Sequence, residues 1–163
     1  MKLLDVLGVR VEMPTNQPIV LLRERDGDRY LPIWIGAAEA TAIAYAQQGV
    51  VPPRPLTHDL FKNTLDALGH ALTRVRITEL RDGVFHAELD IDGGADAGGT
   101  VVESRSSDAI ALALRAGADI VADEELLAQA GVEMNETEDD EVEKFKEFLD
   151  HVSAADFDTE TES

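Results

Sequence analysis

The first thirteen residues, MKLLDVLGVRVEM, carry apolar side chains at Leu4, Val6, Val9 and Val11 with little helical period, which predicts a strand. A turn follows at TNQP, residues 15–18. IVLLRERDGDRYLPIWIG then predicts a hairpin, with Asp26-Gly27 as a type I′ turn. A two-residue turn pairs Glu24 with Arg29 and Arg25 with Asp28. It sets Val20 and Leu22 on one face with Leu31, Ile33 and Ile35. Pro32 cannot donate to a ladder, so this strand is expected at an edge or at a bulge.

The period changes at AAEATAIAYAQQG, which predicts an alanine-rich helix stopped by Gly49. After the rigid VPPRP linker, LTHDLFKNTLDALG predicts a second helix, with Thr57 as N-cap and an apolar stripe of Leu60, Phe61, Leu65 and Leu68. Residues 72–92 predict a second hairpin. A three-residue turn with Gly83 left-handed puts Val75 and Ile77 beside Phe85, Ala87 and Leu89. The same register sets Arg76 opposite Glu88 and Arg74 opposite Asp90. A loop (92–99), the strand TVVESR, the helix SSDAIALALRAG, the strand ADIVA and a short helix capped by Asp123 complete the body.

Two stretches echo each other. LPIWIGAAEATAIAYAQQG and GTVVESRSSDAIALALRAG both read strand, turn, acid in the first helical turn, Ala-rich helix, glycine stop. Glu39 matches Asp108 at a period of about 69 residues, too long for a solenoid. The expected fold is therefore α+β: a mixed, largely antiparallel sheet with Ala-rich helices and a duplicated β-β-α half. Both Ala-rich helices are apolar on more than one face. Each needs a partner besides the sheet, either another helix or a second subunit, so a homodimer is expected.

Composition divides the chain in two. Residues 1–132 hold 12 Lys+Arg against 20 Asp+Glu, a charge of −8, and residues 133–163 hold 2 against 13, a charge of −11, within a total of −19. Residues 1–132 read as the folded domain. Residues 133–163 read as an acidic linker, a short helix over VEKFKEFLDHVSAADF and a disordered end. That helix is expected to dock on the body or on a protein partner. An acidic body counts against a broad electrostatic footprint for nucleic acid. There is no cysteine, so neither a disulfide framework nor a thiolate metal site. No stretch approaches the roughly 20 apolar residues of a membrane helix, and the N-terminus lacks a signal-peptide pattern. The expectation is no membrane contact and a cytoplasmic location.

Candidate chemistry gathers at two helix starts. With Ser106 as N-cap and Asp108 on the positive end of the helix dipole, capping accounts for the serines and the acid of SRSSDAIALALRAG, and Glu39 does the same for its helix. Arg105 is less readily explained by capping. A guanidinium beside free helix N–H groups makes a small anion site, with Arg105, Ser106 and Ser107 as phosphate-binding residues. His58-Asp59, at the start of the second helix, suits either a general base beside a metal ligand or the plain chemistry of a Thr57-capped helix start. His86, Glu88 and Asp90 read instead as a solvated strand face paired with Arg74 and Arg76. No Gly-rich phosphate loop, nucleophile elbow or HExxH pattern occurs.

Four segments in order, RYLPIWIGAAEATAIA, RPLTHDLFKNTLDALG, ELRDGVFHAELDI and VESRSSDAIALALRAGADIVADEELLAQAG, resemble the bifunctional nuclease domain family over roughly residues 1–132. The resemblance implies a mixed α/β fold, frequent dimerisation and cleavage of both DNA and RNA. It implies metal-assisted hydrolysis, with Asp59, Asp108 and Glu39 holding Mg²⁺, His58 moving a proton, and Arg105 stabilising the developing phosphoryl charge. The family's usual D-x-R-P-S-D becomes Glu103-Ser104-Arg105-Ser106-Ser107-Asp108, which lengthens the acid and replaces the proline by serine. The competing expectation is a non-enzymatic dimeric regulator that engages a protein partner.

Overall fold

The computed structural model describes residues 1–93 and 98–133. The chain divides into two compact units, Met1–Val132 and Glu133–Ser163. The terminal helix expected over residues 142–157 lies outside the described residues.

The chain opens with a three-stranded meander, β1 (Lys2–Glu12), β2 (Gln17–Glu24) and β3 (Arg29–Trp34), followed by α1 (Ala37–Gln47) and α2 (Thr57–Ala67). A second meander follows, β4 (Leu72–Arg81), β5 (Val84–Ile91) and β6 (Thr100–Arg105), and then α3 (Ser106–Ala116). The described chain closes with β7 (Asp119–Ala122), α4 (Glu124–Ala130) and β8 (Val132–Glu133). All eight strands form one sheet in the order β6-β5-β4-β7-β1-β2-β3-β8. β4 and β7 run parallel, and the other registered pairs are antiparallel. The fold is α+β, with a mixed and mostly antiparallel sheet. The echo in the sequence corresponds to two meander-plus-helix units, each one strand longer than expected, with β7 wedged between their first strands.

The hairpins keep the expected registers, but neither has the expected turn. In β2–β3, Leu22 pairs with Leu31 and Val20 with Ile33, the face the pattern required. Yet neither Asp26 nor Gly27 has positive φ, so the turn is not type I′. The I′ conformation lies instead at Asp82 (φ 53) and Gly83 (φ 77), between the paired residues Arg81 and Val84. That turn alone would send Val75 and Ile77 outward. A register shift between Ile77 and Glu79 corrects it, so Ile77 pairs with Ala87 and Val75 with Leu89. Burial of the apolar face thus sets the register, and a bulge reconciles it with the tighter turn. Pro32 sits opposite Leu21, in a strand flanked on its other side by the two-residue β8 alone.

α1 packs on β1 and β2, α3 packs on β4 through β7, and the two helices pack on each other. The second partner that their apolar composition demanded is therefore inside the chain. Ile43 of α1 and Ile110 of α3 are fully buried with Val20, Leu22, Leu31 and Val75. α2 differs. It packs on α3 but contains no buried residue. Of its expected stripe only Leu65 touches the core, while Leu60, Phe61 and Leu68 are exposed. No helix among the described residues is long and apolar enough to cross a membrane.

Candidate active site

β3 and β6 lie six strand spacings apart in the sheet order, about 29 Å if the sheet were flat. The gap is bridged by α1 and α3, which pack on each other over the sheet. A guanidinium nitrogen (Nη2) of Arg105, at the end of β6, lies 2.8 Å from Glu39 Oε1, in the first turn of the helix that follows β3. The two helix starts meet beside a cleft of about 710 Å³ whose lining includes Glu39, His58, Glu103, Arg105 and Asp108.

Asp108 is the hub. Its Oδ1 lies 2.8 Å from His58 Nε2, and its Oδ2 accepts from Arg105 Nε at 3.0 Å. Burial works against ionisation of Asp108. The hydrogen bonds from Arg105 and then His58 outweigh it and hold the carboxyl below its ordinary range. Arg105 is correspondingly held more firmly protonated, first by Asp108 and then by Glu39. Although 66% of its side chain is exposed, the guanidinium is tied to carboxylates of two different helices. Its Nη1 makes no protein hydrogen bond among the described residues, which leaves donors for an incoming anion.

Other site expectations fall elsewhere. α3 begins at Ser106 with Arg105 in the N-cap position and no side-chain cap bond, because β6 runs straight into the helix. Ser106 and Ser107 are buried in the first turn and do not line the cleft. In α2 the cap position is Leu56 rather than Thr57.

Asp59 is turned away from the cleft. Its Oδ2 accepts the Leu56 N–H at 3.0 Å and its Oδ1 accepts from Arg115 Nε at 2.7 Å. Burial opposes its charge, but Arg115 and the Leu56 amide prevail and lower its pKa. Arg115, only 8% exposed, also donates to the carbonyls of Ala111 and Ala42 and so joins α1, α2 and α3. Arg115 belongs to no motif in the sequence; its signal there is a cation that follows the apolar run AIALAL, seven residues after Asp108.

This donor set does not suit a magnesium ion held by Asp59, Asp108 and Glu39. Asp59 is committed to Arg115, and the other two carboxylates converge on Arg105, a cation already in place. Among the described residues no group of three or more His, Asp or Glu is arranged to hold a metal.

A family model for the bifunctional nuclease domain matches residues 20–135, a span that contains every residue of this cluster. The chain belongs to the bifunctional nuclease domain family. It is 54% identical over 161 residues to an uncharacterized protein of Mycobacterium tuberculosis, covering 93% of this chain and 95% of that one. It is 29% identical over 111 residues to Bifunctional nuclease 1 of Oryza sativa subsp. japonica, covering 68% of this chain and 33% of the rice protein. The same figures hold for a Bifunctional nuclease of Oryza minuta. In this bifunctional nuclease domain, then, His58, Asp108, Arg105 and Glu39 form one bonded chain along the cleft, while Asp59 braces the helix that carries His58.

Proposed function

We propose that this protein hydrolyses phosphodiester bonds of DNA or RNA in the cleft between α1, α2 and the start of α3. The observation that carries the reading is the His58–Asp108–Arg105–Glu39 chain in a bifunctional nuclease domain. Asp108 fixes one nitrogen of the His58 imidazole, so the other ring nitrogen is the one that exchanges protons with substrate. His58 takes a proton from an attacking water, whose oxygen bonds to phosphorus. The phosphorus–oxygen ester bond opposite it breaks, and the leaving oxygen takes a proton from solvent. Arg105, held rigid by two carboxylates, presents Nη1 to the charge that grows on the non-bridging phosphoryl oxygens. No step is routed through a metal.

The test is cleavage of a labelled oligonucleotide by the full chain and by His58→Ala protein purified in parallel, each with and without EDTA. Activity that tracks the wild-type chain and survives chelation supports the scheme. Equal residual cleavage by both proteins would mark a contaminant.

A second feature favours self-association. Leu60 of α2 and the residues capping its two ends, Leu56 and Leu68, recur at helical spacing and are 57%, 42% and 68% exposed. We place the interface of a homodimer on this stripe rather than on the Ala-rich helices, whose apolar faces are covered within the chain. A regulatory domain would use the same stripe for a different protein. A monomer that is inert toward nucleic acid would point that way.

A further inference from the structure

A nuclease that grips duplex DNA needs several cations along the phosphate path, because each neutralised phosphate contributes to affinity. This cleft does not supply them. Among the described residues lining it, Arg105 is the single Lys or Arg, and it stands among Glu39, Glu103 and Asp108. The rest of the body is acidic as well. Most of the remaining lining is apolar: Leu56 and Phe61 from α2, Leu89 and Val102 from the sheet, and Leu112 from α3. Phe61 is 38% exposed, one turn from His58 and on the same cleft wall. A volume of about 710 Å³ lies in the range that holds a small ligand.

Resting on the hydrolytic reading above, we infer that the substrate is a short single-stranded oligonucleotide, engaged through one phosphate at Arg105 and one unpaired base stacked on Phe61. A single strand can splay a base against an aromatic ring, and stacking tolerates any base, so DNA and RNA strands are both accepted. A duplex keeps its bases paired and would bring a second row of phosphates toward Glu39 and Glu103. One phosphate contact also fixes the salt response. The logarithm of the binding constant should fall against the logarithm of salt with a slope of about −0.7, the single-strand value for one neutralised phosphate.

The experiment uses the full chain with four probes: the dinucleotides dTpdT and UpU, a 20-nucleotide single strand, and its duplex. Hydrolysis and, by calorimetry, binding are followed between 50 and 300 mM salt. The dinucleotides should be cleaved with a kcat/KM per bond within about tenfold of the strand. The duplex should be at least about a hundredfold slower, and the salt slope should be near −0.7. Phe61→Ala and Phe61→Leu should weaken dinucleotide binding roughly tenfold or more, while Phe61→Trp should restore it. The leucine variant keeps apolar bulk without a ring face, so it separates stacking from packing.

A duplex cleaved as fast as the strand, a slope steeper than about −2, or an unchanged Phe61→Leu protein would overturn the substrate class and leave the nuclease reading standing. Dinucleotide binding that depends on Phe61 without any hydrolysis would remove the nuclease reading and keep the ligand class. Neither binding nor hydrolysis would remove both.

Discussion

Asp59→Asn distinguishes two roles for one carboxylate. If Asp59 held a catalytic ion, the amide would abolish activity and leave the fold untouched. The structure assigns it a mechanical task instead, because α2 buries no residue and is fastened to the body mainly by His58 on Asp108 and Asp59 on Arg115. Removing one partner of a fully buried ion pair costs about 3–5 kcal/mol. Asp59 is 24% exposed and Arg115 keeps its bonds to Ala42 and Ala111, so about 1–3 kcal/mol is the better expectation here. Since α2 adds little to the core, most of that loss should appear as local opening rather than global unfolding. Amide exchange in α2 should then speed up by roughly ten- to a hundredfold while Tm shifts little. His58 leaves Asp108 with it, so cleavage should fall alongside α2 protection. Combining Asp59→Asn with Arg115→Met gives the coupling directly. The opening free energies should depart from additivity by about 1 kcal/mol or more. Additive effects, or lost activity with α2 exchange unchanged, would refute the latch and return Asp59 to the chemistry.

Three further outcomes follow from the same geometry. Arg105→Ala should lower cleavage by about 10²–10³-fold, as loss of a transition-state donor does, while its two-thirds exposed side chain limits the stability change to about 1 kcal/mol; a thermal melt and an initial-rate assay check both. Asp59 and Asp108 have folded pKa values below their unfolded ones, so their stabilisation is complete above about pH 4 and disappears as pH falls through the folded values; urea midpoints should drop steeply there, and less steeply in Asp59→Asn. Leu60→Glu should convert a dimer to a monomer in light scattering while circular dichroism stays that of the folded chain, because Leu60 is already exposed in the single chain, and an unchanged molar mass would move the interface elsewhere.

What the sequence made legible followed physical range. Element types and hairpin registers depend on which face must be buried, and alternation such as Val75, Ile77, Ala87 and Leu89 records that directly. Turn conformation was harder, because Asp-Gly occurs in both hairpins and only the packing of each decides where positive φ is adopted. The apolar residues of α2 looked like a core stripe since spacing encodes amphipathicity and not its partner. In the site, the distant His58–Asp108 and Arg105–Glu39 contacts joined residues already singled out for their chemistry. Asp59–Arg115 stayed hidden because 56 residues separate the partners, and nothing local marks which cation a carboxylate will face.

The internal echo explains why the cluster lies where it does. Glu39 and Asp108 are each the third residue of their helix, and each helix follows the last strand of its meander. The positions before those helices are Gly36 and Arg105, the two N-cap residues. Corresponding parts of the two halves therefore face each other where α1 and α3 pack together. Their equivalence ends at the cap. A Cβ on Gly36 would stand 2.4 Å from Glu39 Oε2, so this carboxylate folds back over a position that has no side chain. With glycine in one half and arginine in the other, a single guanidinium occupies the space between two like-charged carboxylates. Two arginines would crowd it, and two glycines would leave Glu39 and Asp108 repelling each other in a partly buried cleft. His58, from the α2 segment that only the first half carries, then binds the one carboxylate oxygen that Arg105 holds less closely, at 3.3 Å against 3.0 Å. A duplicated scaffold thus yields an asymmetric site, with one guanidinium between the two carboxylates and one imidazole on Asp108 alone.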